Sequence, residues 1–135
     1  MSDASKTIRV RPTSPHVQVW RWHLTALTSI THRITGVGLY VGTLILAGWA
    51  VSLAMGPEAY GIFMGLMGSF LGKLVMFALS LAVFFHLAKG VQHLIWDTGV
   101  GLKLQAANAG AVATVAFAIV ATIVVWIIAA MTGAL

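Results

Sequence analysis

Two imidazoles, an ammonium and a carboxylate arrive together in His86-Leu-Ala-Lys-Gly-Val-Gln-His93-Leu-Ile-Trp-Asp97, at the end of a long apolar run. On a helix, His86, Gly90, His93 and Asp97 follow spacings of four, three and four, so they share a face. A polar stripe in apolar surroundings needs a partner that makes its desolvation tolerable. A haem meets that need: one imidazole ligates iron, Gly90 leaves room for the porphyrin, and the second imidazole reaches a propionate. The alternative is a pair of packing or hydrogen-bonding histidines with no ligand.

A second polar group, Ser29-Ile30-Thr31-His32-Arg33-Ile34-Thr35-Gly36, stands where another apolar run begins. Ser29 and Arg33 are four apart, with His32 and Gly36 beside them. A hydroxyl and a guanidinium so placed donate hydrogen bonds to a carbonyl oxygen such as that of a quinone headgroup. The competing reading is an ordinary interfacial helix start, with Arg33 reaching lipid phosphate.

The elements that must position these groups are set by composition. Of 135 residues, 59% are apolar and 8% charged, and mean hydropathy is +0.95. Soluble domains carry roughly a quarter charged residues, so the chain reads as an all-α integral membrane protein. At about 20 residues per crossing, three spans are expected, near 28–55, 63–96 and 107–132. Residues 1–25 are expected as an N-terminal cytoplasmic segment and 26–135 as the three-helix anchor domain. Little chain remains for a soluble catalytic unit, so any large active site belongs to partner subunits of a heteromeric bundle. Cysteine is absent, which excludes disulfides, thiolate-held iron–sulfur clusters and covalent haem from this chain. The net charge of +5 is too small and too clustered for a nucleic-acid surface.

Charge distribution gives the expected topology. Lys6, Arg9, Arg11, Arg21 and Arg33 precede or open the first span, and Lys89 and Lys103 flank the second loop. The positive-inside rule then puts the N-terminus in the cytoplasm and the C-terminus outside. Trp20, Trp22 and Trp96 fall at the inner interface and Trp49, Tyr60 and Trp126 toward the outer one, while Lys73 is expected to snorkel outward. The first eleven residues, Met1 to Arg11, hold no apolar core of the kind a secretory signal needs, so a multi-pass bacterial inner-membrane protein is expected. The segment Arg11-Pro12-Thr13-Ser14-Pro15-His16 is too proline-rich for helix interior and is expected along the inner surface. Gly38, Gly42, Gly61, Gly65, Gly68 and Gly72 suggest close helix contact. With a span ending near Trp96, His86 lies roughly 15 Å inside it, in the half of the bilayer where Ser29, His32 and Arg33 also fall.

Three motifs in order, Arg11-Pro-x-Ser-Pro-His16, Ser29-Ile-x-His32-Arg33-x-x-Gly36 and His86-x3-Gly90-x2-His93-x3-Asp97-x-Gly99, resemble the cytochrome b subunit of succinate dehydrogenase. This is the larger membrane anchor of respiratory complex II, and the resemblance spans about residues 9 to 101. It implies that His86 is an axial ligand of haem b, with the second axial histidine supplied by the partner anchor subunit. It implies a ubiquinone site lined by Ser29, Ile30 and Arg33, and haem propionates near His32, Arg33 and His93. It also implies a flavoprotein subunit with FAD that oxidises succinate in the tricarboxylic acid cycle. An iron–sulfur subunit then passes the electrons to the quinone. Two local departures stand out: Gln92 where relatives often carry Arg, and Lys89 beside it. The rival readings are a haem-b anchor of another quinone-linked dehydrogenase or hydrogenase, and a haem-free transporter or structural anchor.

Overall fold

The structure, a computed structural model, describes residues 21–133. The segment Arg11 to His16, the charges Lys6, Arg9 and Arg11, and Trp20 lie outside the described residues. Four helices follow one another: α1 (Leu24–Met55), α2 (Pro57–Gly68), α3 (Phe70–Asp97) and α4 (Leu104–Met131). No strand occurs among the described residues. Helices α1, α3 and α4 are long and apolar enough to cross a membrane. At 1.5 Å per residue they run about 40 to 50 Å, against a hydrocarbon core of about 30 Å.

The expected second span, 63–96, needs correction. Residues 63–68 belong to the separate helix α2, and the crossing helix begins at Phe70. Ser69 makes the break: its backbone is extended, and its Oγ accepts a hydrogen bond from the Gly72 amide at 3.1 Å, capping α3. A side chain at Gly72 would overlap the Leu66 and Met67 carbonyls, so only glycine lets α2 end this close to α3. The other end of α2 is equally local. Gly56 takes a φ of 105°, and Pro57, whose missing N–H costs nothing there, starts the helix.

Helix α3 is central and packs on the other three. Against α1 it closes a glycine seam in which Gly42 sits under Leu79, a Cβ there meeting Leu79 Cδ2 at 3.1 Å. Gly38, Gly61, Gly65 and Gly68 were expected in similar contacts, but a Cβ on any of them meets nothing in this chain. Against α3, α4 presents a stripe of small residues, Ala111, Thr114, Ala118 and Thr122, all buried. The two threonines donate back to the Gly110 and Ala118 carbonyls, so no hydroxyl is left unpaired in an apolar setting. Near the α2 end, Trp126 Nε1 donates to Ser80 Oγ at 3.3 Å and packs edge-on against Phe77.

The buried apolar core is small: among the described residues it comprises Phe85, Ala111 and Ala118. Large apolar side chains instead cover the outside, Val37 at 70% exposure and Tyr40 at 71% among them. Such a surface is stable only against lipid or other helices.

Candidate functional site

The site forms where the first half of α1 crosses the second half of α3. The rings of His32 and His86 are stacked, with centroids 4.0 Å apart and planes 16° from parallel. His93, two turns further along α3 than His86, meets His32 edge-on at 4.9 Å. Gly36 makes this approach possible, since a Cβ there would stand 3.2 Å from His86 Cε1. Three imidazoles from two helices thus form one cluster, half-buried.

Hydrogen bonds orient His86 through one nitrogen. Its Nδ1 lies 3.2 Å from the His32 carbonyl oxygen and 3.3 Å from Thr35 Oγ1. The Thr35 hydroxyl spends its proton on that same His32 carbonyl at 2.9 Å, so it faces Nδ1 as an acceptor. Both neighbours therefore call for a proton on Nδ1. The tautomer this favours carries its lone pair on Nε2, the arrangement of a histidine prepared to ligate a metal. No group of three or more His, Cys, Asp or Glu side chains suited to a metal ion occurs among the described residues.

His32 contributes a different feature. Its Nε2 is buried and has no hydrogen-bond partner. An unsatisfied buried nitrogen costs about 1–3 kcal/mol, so a polar group from outside the chain is the natural completion.

Sequence reasoning grouped His86, Gly90, His93 and Asp97 on one face, and the structure separates their roles. His86 and His93 turn toward α1. Gly90 is not the glycine against the His86 ring: a Cβ on it meets nothing within 4 Å, so it opens onto free space. Asp97, the last residue of α3, is exposed, and no hydrogen bond joins it to His93. His93 instead tilts against Trp96 at 5.3 Å.

Ser29 and Arg33 lie one turn apart on the flank of α1 beside His32 and Gly36. The opposite flank carries Thr28, which is buried, and Thr35. Similarly on α3, Phe85 and Lys89 are enclosed on the side facing α4, and Gly90 lies on the other side. Ser29, Arg33 and Gly90 therefore border the open side of the α1–α3 seam. Arg33 is exposed, Ile30 is 39% exposed and Ser29 half-buried. Neither Ser29 Oγ nor the Arg33 guanidinium has a hydrogen-bond or ionic partner among the described residues. These donors are free to bind something else.

Lys89 is the residue whose place the sequence did not disclose. Expected as a charge flanking the second loop, it is fully buried, with no exposed surface. Its Nζ donates to Gln92 Oε1 at 2.7 Å and sits 4.8 Å from the centre of the Trp96 ring. Gln92 Nε2 in turn donates to the Ala107 carbonyl on α4 at 3.4 Å. Gly110 makes space for that amide, which a Cβ at that position would overlap. The hydrogen bond and the cation–π contact, each about 2 kcal/mol, offset part of a desolvation cost of several kcal/mol.

The family described as succinate dehydrogenase/fumarate reductase transmembrane subunit matches residues 7–125. The chain belongs to that family. Among individual relatives, the succinate dehydrogenase cytochrome b556 subunit of Paracoccus denitrificans is 35% identical over 118 residues, covering 87% of this chain and 91% of the relative. The corresponding subunit of Rickettsia felis is 35% identical over 117 residues, with the same coverage. The human mitochondrial cytochrome b560 subunit is 36% identical over 96 residues, covering 70% of this chain and 57% of that protein. As a transmembrane subunit of this family, the chain uses its three apolar helices as a membrane anchor, and its histidine cluster lies within two of them.

Proposed function

We propose that this chain anchors succinate dehydrogenase in the bacterial inner membrane, binds haem b together with a second anchor subunit, and forms part of the ubiquinone-reduction site. The stacked His32–His86 pair carries the reading: one imidazole is fixed through Nδ1 so that Nε2 is left as a ligand, and the other holds an unsatisfied buried nitrogen. Both features fit a haem, which when bound supplies a one-electron carrier in the membrane.

In this reading His86 would hold the iron through Nε2, and the Nδ1 bond to the His32 carbonyl keeps its ring from rotating away. His32, Arg33 and His93 face the propionates, where His32 Nε2 gains the partner it lacks. Ser29 and Arg33, beside Ile30, direct their unused donors at a ubiquinone carbonyl and stabilise the negative charge that grows on that oxygen during reduction. The open flank bearing Ser29, Arg33 and Gly90 is where the partner anchor subunit would close the site and supply a second histidine to the haem. FAD and the iron–sulfur clusters reside in the soluble subunits. The N-terminus faces the cytoplasm, which puts the quinone site on the side of the soluble subunits.

A dithionite-reduced minus oxidised spectrum of the detergent-purified complex tests this reading. The expected result is a b-type α-band with flavin and iron–sulfur subunits co-purifying. Absence of haem from an intact complex removes His86 as a ligand and leaves only the anchor role.

A further inference from the structure

Burying an ammonium group in a membrane helix calls for a counter-charge, and none of the described residues supplies one. Among the described residues no carboxylate pairs with Lys89; its hydrogen-bond partner is the neutral Gln92 amide. The clamp from Lys89 through Gln92 to the Ala107 carbonyl holds the charge in a fixed place between α3 and α4. From there a run of ring contacts leads back to the site. Trp96 touches the ammonium at 4.8 Å, His93 lies 5.3 Å from Trp96, and His32 lies 4.9 Å from His93. The cation, whose one hydrogen-bond acceptor is a neutral amide, and the unsatisfied His32 nitrogen thus adjoin the same cluster.

We propose that Lys89 is the fixed positive charge that sets the potential of the haem site, its counter-charge being the haem carboxylates. The proposal rests on the haem reading above. Lys89 has no exposed surface, so it acts through its field across Trp96 and His93 and not by contact. It is a positioning and tuning residue and takes no part in chemistry. A positive charge in a low-dielectric interior favours the form with the extra electron, so Lys89 raises the potential of the iron. Gln92 is part of the device, because a neutral partner satisfies the ammonium without cancelling its charge.

The test is a redox titration of the haem in the assembled complex, comparing the natural protein with Lys89→Met, Lys89→Arg and Gln92→Glu. Lys89→Met removes the charge and is expected to lower the midpoint potential, whereas Lys89→Arg keeps the natural value. Gln92→Glu retains the lysine but gives it an internal counter-ion, and is expected to lower the potential in the same direction. This second variant keeps a buried partner for Lys89, so it reports even if Lys89→Met does not assemble. Unchanged potentials in variants with a normal b-type α-band overturn the role of Lys89 while leaving the haem reading intact. A natural complex without that band overturns both.

Discussion

The His86 ring is held from one side by the His32 carbonyl at 3.2 Å and the Thr35 hydroxyl at 3.3 Å, residues more than fifty positions earlier in the chain. The pairing joins two motifs that are separate in sequence, and it makes the geometry of α1 a condition for the chemistry of α3.

His86→Ala in the assembled complex is expected to abolish or strongly perturb the b-type spectrum. Thr35→Val should keep the haem but loosen the ring, since one of two Nδ1 contacts remains. Losing a hydrogen bond that orients a ligating ring typically weakens cofactor binding by about 10-fold to 100-fold. Haem retention through a detergent wash, read at the α-band, measures both.

Gly36→Val should act on the same ring by crowding. A Cβ at this position already stands 3.2 Å from His86 Cε1, and the two γ-methyl groups leave the ring no room to stay stacked on His32. The expected outcome is a distorted or absent haem signal with the complex still assembled. A normal spectrum in this variant would show that the seam yields without moving His86.

Arg33→Ala should cripple quinone reduction, by about 100-fold, while succinate oxidation with a soluble acceptor continues. Arg33 is exposed and has no partner among the described residues, so its loss carries little structural cost. Ser29→Ala removes one neutral hydrogen bond and should raise the quinone KM about tenfold. Steady-state assays with both acceptors, run on the same preparation, separate the effects.

Gly72→Ala tests the fold and not the site. The added methyl would overlap two backbone carbonyls of α2, which cannot swing aside as a side chain can. A loss of about 3 kcal/mol is expected, visible as a lower Tm and reduced yield of the complex. The same substitution at Gly65, where a Cβ meets nothing, should leave the stability of the isolated chain nearly unchanged.

The three crossings were legible because a 20-residue apolar run has few other uses. The corner at Ser69 was not, because α2 is as apolar as the helix it precedes and hydropathy runs through the break unaltered. Its only local sign was a capping serine three residues before a glycine. His86, His32 and Arg33 could be picked out as polar groups in apolar sequence, and helical spacing puts Ser29 and Arg33 one turn apart on α1. The Thr35 and Gly36 contacts with His86, and those of Ala107 and Gly110 with Gln92, are long-range pairings that no periodicity within one helix reveals. Lys89 was misassigned for a related reason. A lysine near the end of a span ordinarily marks the interface, and only the packing of α4 reveals that this one is enclosed.

The enclosure of Lys89 also imposes an order on biogenesis. Helix α3 is synthesised before α4, so the nascent chain enters the bilayer with an ammonium group whose cover does not yet exist. A lysine this near the end of an isolated membrane helix can tilt or snorkel its charged end toward water. Arrival of residues 104–131 brings the Ala107 carbonyl and the notch at Gly110, and the lysine can then be sealed in. The last helix is thus the cover under which α3 keeps its ammonium group away from water.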